Sequence, residues 1–297
     1  MPCFRPLTGF KNAHGTGIVF DVSQGFRDRP VTVPCGACIG CRLERQRGWA
    51  IRLHHENKMH EHSAFLTLTY DDQHIPEAGT LVKSHVQDFM HALRKHCKRK
   101  VDPPCKIRYF LCGEYGEQLE RPHYHIILFG YAFEDKRKTA KSQSGEDQWT
   151  SETLDSLWQK GKATIAEVTY DSAAYVAGYC VKKITGDQAE SHYGDRLPEF
   201  IQMSLKPGIG KAWLAMNHND VYPKDQIVID GKEIKPPKYY DLQYSKSRPR
   251  VYAKVRQKRI HDAQAEHIKQ HTTPERLATR EELKTRTFNA KKRNLGK

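Results

Sequence analysis

The stretch Arg121-Pro-His-Tyr-His-Ile-Ile-Leu-Phe-Gly130 has the composition of a β-strand. Aromatic and β-branched residues are frequent from Pro122 to Phe129, with a proline at the start and a glycine directly after the end. Because side chains alternate between the two faces of a strand, His123 and His125 point the same way. Two imidazoles so placed can bind one divalent cation, although two histidines solvated at a sheet edge would show the same pattern.

A carboxylate, Glu114, lies nine residues before His123 in the sequence. The run Ile107-Arg-Tyr-Phe-Leu-Cys-Gly-Glu114 also has strand character, and the linker from it to Arg121 is short and polar. The two runs are therefore predicted to form a hairpin, which would bring Glu114 beside His123 and His125. A mixed nitrogen and oxygen donor set suits Mg, Mn or another first-row divalent ion better than a structural thiolate zinc.

A third motif lies about fifty residues downstream, where residues 170–183 have helical character. Tyr175 and Tyr179 are four residues apart and therefore share a helix face, with Lys183 a further turn along and Lys182 adjacent. A tyrosine stripe is most often core packing. A lysine on the same face, however, offers the positive charge that a phenolate would need.

These motifs resemble those of the HUH endonucleases that initiate rolling-circle replication. Within that superfamily the chain is similar to the replication initiators of gokushovirus-type microviruses, which are small single-stranded DNA phages. The resemblance rests on a strand with His-hydrophobic-His, an upstream Gly-Glu-Tyr-Gly and a helix with Tyr-x-x-x-Tyr-x-x-Lys-Lys. It covers Val33 to Arg52, Ala64 to Asp72, Ile107 to Gly130 and Ala163 to Lys183.

The resemblance implies both a fold and a chemistry. It implies a central antiparallel sheet of the HUH or RRM-like kind, with a divalent metal on Glu114, His123 and His125. A tyrosine hydroxyl would attack a DNA phosphodiester, leaving a 5′-phosphotyrosyl link and a 3′-OH for the host polymerase. Tyr175 and Tyr179 would then share the work, one holding the 5′ end while the other cuts the regenerated origin. Lys182 and Lys183 would assist the phenolate.

The composition indicates the class of partner. The chain has 297 residues, a net charge of +14, a pI near 9.3 and a mean hydropathy of −0.76. Such basicity points to a polyanion, and single-stranded origin DNA is the economical choice. No apolar run approaches the ~18 residues of a membrane span, and the first residues lack an apolar signal region, so we expect a location in the host bacterial cytoplasm. No ATPase motif is present, so we expect a host helicase or supercoiling to separate strands.

Cysteines are concentrated near the start of the chain. Cys35, Cys38 and Cys41 are spaced closely enough to share one zinc ion, and Cys3 is the natural fourth ligand if the N-terminus folds back. Zinc sites usually pair two C-x-x-C units, whereas this is an overlapping triplet. A reduced cysteine cluster at a helix start therefore remains an alternative, with redox catalysis a distant third.

The order of predicted elements is β, α, β, β, α, β, α, which describes an α+β fold with helices on an antiparallel sheet. We divide the chain into an N-terminal Cys cluster with a basic helix, an endonuclease core, an accessory segment containing a β-hairpin, and a basic helical, partly disordered tail. Their ranges are 1–62, 63–185, 186–244 and 245–297. The tail has sixteen Lys and Arg against five Asp and Glu.

Other functions fit parts of the sequence. A non-catalytic zinc-containing DNA-binding protein would use the Cys cluster and the basic tail, but it has no use for the Glu-His-His set or the tyrosine pair. A single-tyrosine transposase or relaxase shares the His strand, and the second tyrosine disfavours it. A small-molecule metal hydrolase would not need so much basic surface.

Overall fold

The structure is a computed structural model that describes residues 3–100, 105–116, 118–139, 141, 145–182 and 188–295. For residues 179–182, 188, 267 and 291–295 it describes the backbone alone. The chain divides into two compact units, one of Met1–Arg45 with Lys254–Lys297 and the other of Gln46–Ala253.

The described residues form twelve β-strands and ten α-helices. Within the described residues the strands are β1 (Leu7–Asn12), β2 (Ile18–Val19), β3 (Gly25–Val33), β4 (Ser63–Thr69), β5 (Arg108–Tyr115), β6 (Pro122–Phe129), β7 (Arg137–Lys138), β8 (Trp149–Thr150), β9 (Ala163–Ala166), β10 (Phe200–Met203), β11 (Ile227–Ile229) and β12 (Lys232–Ile234). The α-helices are α1 (Ile39–Asn57), α2 (Lys83–Lys100), α3 (Glu152–Trp158), α4 (Tyr170–Lys182), α5 (Gln188–Tyr193), α6 (Lys211–Val221), α7 (Lys238–Ser247), α8 (Pro249–Ala263), α9 (Glu266–Gln270) and α10 (Pro274–Leu295).

A seven-stranded sheet organises the second unit, in the order β10-β5-β6-β4-β9-β8-β7. Each hydrogen-bonded neighbour in it is antiparallel. The long strands β4, β5 and β6 lie side by side. Most residues of β5 and β6 are buried on both faces, whereas β4 alternates between buried and half-buried residues. The predicted α+β class with a large antiparallel sheet is confirmed.

One face of this sheet is covered by α2 and α3. Leu66 and Leu68 of β4 and Tyr124 of β6 face this side, where they pack against Phe89 of α2 and Trp158 of α3. All five side chains are almost completely buried. The alternation along β4 leaves Phe65, Thr67 and Thr69 to face the other way.

The opposite face carries α4 and the C-terminal part of α1. Ile127 and Phe129 of β6 pack there with Leu53 of α1 and with Val176 and Ala177 of α4. His123 and His125 share this face of β6, because they lie an even number of residues from Ile127. Ile127 and Phe129 therefore form part of the apolar surface on which α4 packs, next to the two histidines.

The accessory hairpin predicted within residues 186–244 is confirmed. Strands β11 and β12 pair antiparallel, from Ile227 opposite Ile234 to Ile229 opposite Lys232. The turn residues Asp230 and Gly231 both have positive φ, at 49° and 74°. A two-residue hairpin turn of this handedness favours Asp-Gly.

The first unit contains a three-stranded antiparallel sheet in the order β2-β1-β3, together with α9, α10 and the ends of α1 and α8. The basic segment from residue 245 onward is helical, as expected. Helices cover most of residues 249–295, and Leu277 of α10 is buried beside Cys3 and Cys38. Across the described part of the chain, no helix combines the length and apolar character needed to cross a membrane.

Candidate active site

The hairpin of β5 and β6 assembles two imidazoles around one carboxylate. Glu114 pairs directly with His123 across the two strands, and Cys112 pairs with His125. One carboxylate oxygen, Glu114 Oε1, lies 2.7 Å from His123 Nε2 and 2.9 Å from His125 Nε2. The register of a single hairpin therefore places all three groups at one point.

Each imidazole is oriented by a second partner on its other nitrogen. The Nδ1–H of His123 donates to the carbonyl oxygen of Arg121 at 3.1 Å. His125 Nδ1 lies 3.0 Å from Thr67 Oγ1 on the neighbouring strand β4, where Thr67 is the direct cross-strand partner of His125. With its Nδ1 proton donated to a carbonyl oxygen, a neutral His123 presents its Nε2 lone pair to the carboxylate. Lone pairs that face each other this closely require a cation between them, either a proton or a metal ion.

The site is well shielded from water, since the Glu114 side chain is only 3% exposed. Burial opposes ionisation of this carboxyl, but hydrogen bonds from His123 and His125 outweigh the effect of burial and lower the pKa of Glu114 to about 2. The carboxylate is therefore charged at neutral pH. Its charge is available to a cation that enters between the three groups.

The donor atoms of Glu114, His123 and His125 all lie within 4.8 Å of one another. Two imidazole nitrogens and one carboxylate oxygen form a set that first-row divalent ions and Mg²⁺ accept. Each histidine also has the outer hydrogen bond that normally fixes a metal-binding imidazole. The residues present thus fit a divalent metal ion.

Helix α4 brings a tyrosine to this centre. The Tyr175 ring lies 5.5 Å from the ring of His125, centre to centre, in an edge-to-face arrangement at 77°. Phe65 of β4 packs against both, with ring centres 5.3 Å from His125 and 6.4 Å from Tyr175. Tyr175 is nevertheless 52% exposed, so solvent or a substrate can reach it.

Comparison with known proteins places the chain in a family. A family model described as replication-associated protein ORF2/G2P matches residues 63–184. The replication-associated protein ORF2 of Spiroplasma virus 4 is 35% identical over 81% of this chain and 79% of its own length. The replication-associated protein VP4 of Bdellovibrio phage phiMH2K is 34% identical over 84% of this chain and 79% of its own. The chain belongs to the microvirus replication-associated proteins. The resemblance found in the sequence is thereby confirmed.

A third relative, the replication-associated protein ORF4 of Chlamydia phage 1, is 26% identical over 70% of this chain and 52% of its own length. No solved structure matches the chain. The range matched by the family model contains Glu114, His123, His125 and Tyr175. The cysteines at 3, 35, 38 and 41 lie outside that range.

The remaining residues predicted from the sequence for this site are Tyr179, Lys182 and Lys183. Tyr179 is one helical turn after Tyr175 within α4, and Lys182 is the last residue of that helix. Only their backbone is described. Lys183 lies outside the described residues.

Thr67 and Phe65 were not predicted as site residues from the sequence. Both lie on β4, on the face that alternation directs toward the histidines, so the strand pattern carried a usable signal. Gln46 of α1 was also missed, and its side-chain amide donates to the carbonyl oxygen of Ala174 in α4 at 2.9 Å. Nothing local to residue 46 indicates that contact, because it spans 128 residues of sequence.

The N-terminal cysteines form a second cluster. The sulfurs of Cys3, Cys35, Cys38 and Cys41 all lie within 4.8 Å of one another, although Cys3 comes from a distant part of the sequence. None of these four cysteines forms a disulfide. The structure therefore brings the four predicted residues together.

Proposed function

We propose that this protein nicks the origin of a small circular single-stranded DNA phage genome and later rejoins the strand, with Tyr175 as the attacking group. The observation that carries this proposal is an exposed phenol beside a buried Glu-His-His set, in a member of a replication-associated family. An unreactive core tyrosine would be buried. A histidine pair with a purely structural role would have no need of a reachable hydroxyl at its side.

The reaction exchanges one ester for another. The Tyr175 hydroxyl oxygen attacks the phosphorus of a DNA phosphodiester, and the bond from phosphorus to the 3′-oxygen breaks. The 5′-phosphate becomes linked to the tyrosine, and the proton lost by the phenol is balanced by the one that the 3′-oxygen gains. Because an ester replaces an ester, the strand can be rejoined without a nucleotide cofactor, and the free 3′-OH would serve a host polymerase.

The residues of the centre divide this work. Glu114, His123 and His125 would hold a divalent cation, Mg or Mn, and Thr67 with the Arg121 carbonyl would keep both imidazoles aimed at it. When bound, such a cation polarises the scissile phosphate and orients it for in-line displacement. Phe65 holds the Tyr175 ring at the edge of His125, which limits the positions its hydroxyl can occupy.

Tyr179 has a role in this proposal as the second tyrosine. Its place one turn along α4 puts it on the same helix face as Tyr175. One tyrosine would hold the 5′ end while the other cuts the regenerated origin. Lys182 and Lys183 would favour the phenolate form, since an ordinary tyrosine loses its proton only near pH 10.

The positive charge of the protein supports DNA as the substrate. Its distribution along the chain indicates which residues would contact the DNA phosphates. Residues 1–45 and 254–297 together contain 19 of the 49 Lys and Arg but only 8 of the 35 Asp and Glu. Residues 46–253 are nearly balanced, with 30 against 27. Sequence-independent contacts to phosphates would therefore come mainly from the unit that does not contain Tyr175.

The test is incubation of the protein with circular single-stranded DNA carrying the phage origin, in Mg²⁺ or Mn²⁺, followed by denaturing electrophoresis and mass mapping of any tyrosyl-DNA adduct. We expect the adduct on Tyr175 or Tyr179, and its loss in EDTA. Tyr175→Phe with Tyr179→Phe abolishes cleavage while DNA binding remains. Tyr170→Phe, on the same helix, is the matched control and should still cut.

Two results would favour the other functions. Origin binding without cleavage under any metal condition would indicate a non-catalytic DNA-binding protein. A covalent adduct confined to one tyrosine through complete rounds of cutting and rejoining would indicate a single-tyrosine transposase or relaxase type of enzyme.

A further inference from the structure

The cluster of Cys3, Cys35, Cys38 and Cys41 lies in the first unit, and the nicking reaction does not use it. We propose that these four thiolates bind one Zn²⁺ ion that fastens helix α10 to the N-terminal segment of the chain. The site would be structural. It would hold together the basic unit that contains both ends of the chain.

The distances fit a tetrahedral thiolate site. Zn–S bonds of about 2.3 Å at tetrahedral angles separate neighbouring sulfurs by about 3.8 Å. Cys3 Sγ and Cys35 Sγ are 3.8 Å apart, and all four sulfurs lie within 4.8 Å of one another. A disulfide would need about 2.05 Å between two of them, and it would leave no reason for the other two to converge.

Backbone amides point at the sulfurs as they do toward negatively charged ligands. The N–H of Cys35 donates to Cys3 Sγ at 3.3 Å, and the N–H of Cys38 donates to Cys35 Sγ at 3.3 Å. The N–H of Phe4 donates to Cys38 Sγ at 3.4 Å. Three such bonds favour thiolate over thiol, and the thiolate is the form that binds metal.

The first unit has too little apolar core to hold these segments together by burial alone. In its described residues the buried hydrophobic side chains are Cys3, Phe4, Cys38 and Leu277. Two of the four are cysteines of the cluster itself. Small units with so little core usually depend on a metal or on disulfides, and a zinc site supplies folding free energy directly.

The contacts of α10 show what the metal would fasten. Leu277 is buried in the cysteine cluster, and the Arg280 guanidinium lies 5.9 Å from the centre of the Phe4 ring. Glu281 Oε2 accepts from Arg5 Nε at 2.7 Å. Arg280 and Glu281 follow Leu277 by three and four residues, so all three lie on one face of α10. This face contacts residues 3–5. Cys3 is in the middle of that contact. A zinc ion bound by Cys3 and the other three cysteines would therefore anchor α10.

The experiment uses the full chain, purified in a reducing buffer without added metal. Zinc content is measured by mass spectrometry of the metal, and Co²⁺ is then exchanged into the site as a spectroscopic probe. We expect about one zinc per chain, with the intense visible bands and sulfur-to-cobalt charge transfer of a tetrahedral all-thiolate site. Cys35→Ser with Cys38→Ser should lose both signals. Cys112→Ser, which changes a buried cysteine of β5 outside the cluster, should keep them.

A second measurement covers the case in which the double variant does not fold. Removal of zinc from the wild-type protein by a chelator should raise the rate of proteolytic cleavage in residues 264–273 at least tenfold, and added Zn²⁺ should reverse the effect. Reduced protein that holds no zinc and gives no tetrahedral cobalt spectrum would overturn the proposal, as would an all-thiolate cobalt spectrum retained by the double variant. Neither outcome depends on the tyrosyl-DNA adduct, so the two proposals fail separately.

Discussion

Thr67→Val tests whether the Glu-His-His set works through the orientation of its imidazoles. Valine has nearly the shape of threonine and suits a strand, so the change removes one hydroxyl and little else. The hydroxyl lies 3.0 Å from His125 Nδ1, and the His125 side chain is only 7% exposed. The substitution therefore leaves the buried Nδ1 of His125 without its hydrogen-bond partner. Metal affinity and metal-dependent nicking should fall together.

The size of the loss follows from the hydrogen bond. An intramolecular hydrogen bond contributes about 1 kcal/mol net, and a buried donor left unsatisfied costs about 1–3 kcal/mol. At about 1.4 kcal/mol for each factor of ten, these values correspond to a loss of metal affinity of about fivefold to 150-fold, which includes the tenfold to hundredfold range found for outer partners of metal-binding histidines. Saturating metal should restore most of the activity, because the chemical groups that contact DNA are unchanged.

The assay is a titration of origin nicking with Mn²⁺, from which the half-maximal metal concentration is read. Thr69→Val is the matched control, since Thr69 lies on the same face of β4 but its hydroxyl donates to the Lys162 carbonyl oxygen at 2.9 Å. Thr69→Val should leave the metal requirement unchanged. An unchanged requirement in Thr67→Val would refute the argument that the Thr67 hydroxyl orients His125.

Three further predictions concern stability and DNA binding. Glu56→Gln should lower the free energy of unfolding by about 3 kcal/mol in urea melts, because Arg108 then loses the carboxylate it is buried against. Burial opposes ionisation of Glu56, but hydrogen bonds from His60, Gly210 and Arg108 lower its pKa overall. The stabilisation by the Glu56 carboxylate is therefore complete above pH 4.5, the ordinary carboxyl pKa, and is lost as the pH falls through the lowered pKa. Urea melts at a series of pH values should show this acid-dependent loss of stability in the wild-type protein but not in Glu56→Gln. Arg276→Gln with Lys284→Gln, both exposed on α10, should reduce the slope of log affinity against log salt by about 1.4–1.8 in a filter-binding titration, and an unchanged slope would argue against phosphate contacts there.

Local sequence pattern was sufficient for the strands, the hairpin and the convergence of Glu114, His123 and His125. The alternation in β6 assigns His123 and His125 to one face, and a short polar linker is enough to place Glu114 opposite His123. Side-chain alternation and short hairpins are properties of neighbouring residues, so they can be predicted without knowledge of distant contacts.

Contacts between distant segments could not be predicted in this way. Thr67 meets His125 across 58 residues, and the Tyr175 ring lies beside the His125 ring because α4 packs on the apolar half of the histidine face. The contact of Cys3 with Cys35, Cys38 and Cys41 likewise depends on how separate segments pack, and so does the contact of this cluster with α10.

The sequence by itself thus determined the family, the basic character and the chemical groups of this protein. Only the tertiary structure decided which phenol lies beside His125, which hydroxyl contacts its Nδ1, and which helix the cysteine cluster contacts. The physical reason is that backbone periodicity is local, whereas the pairing of strands and the seating of helices depend on burial summed over the whole fold.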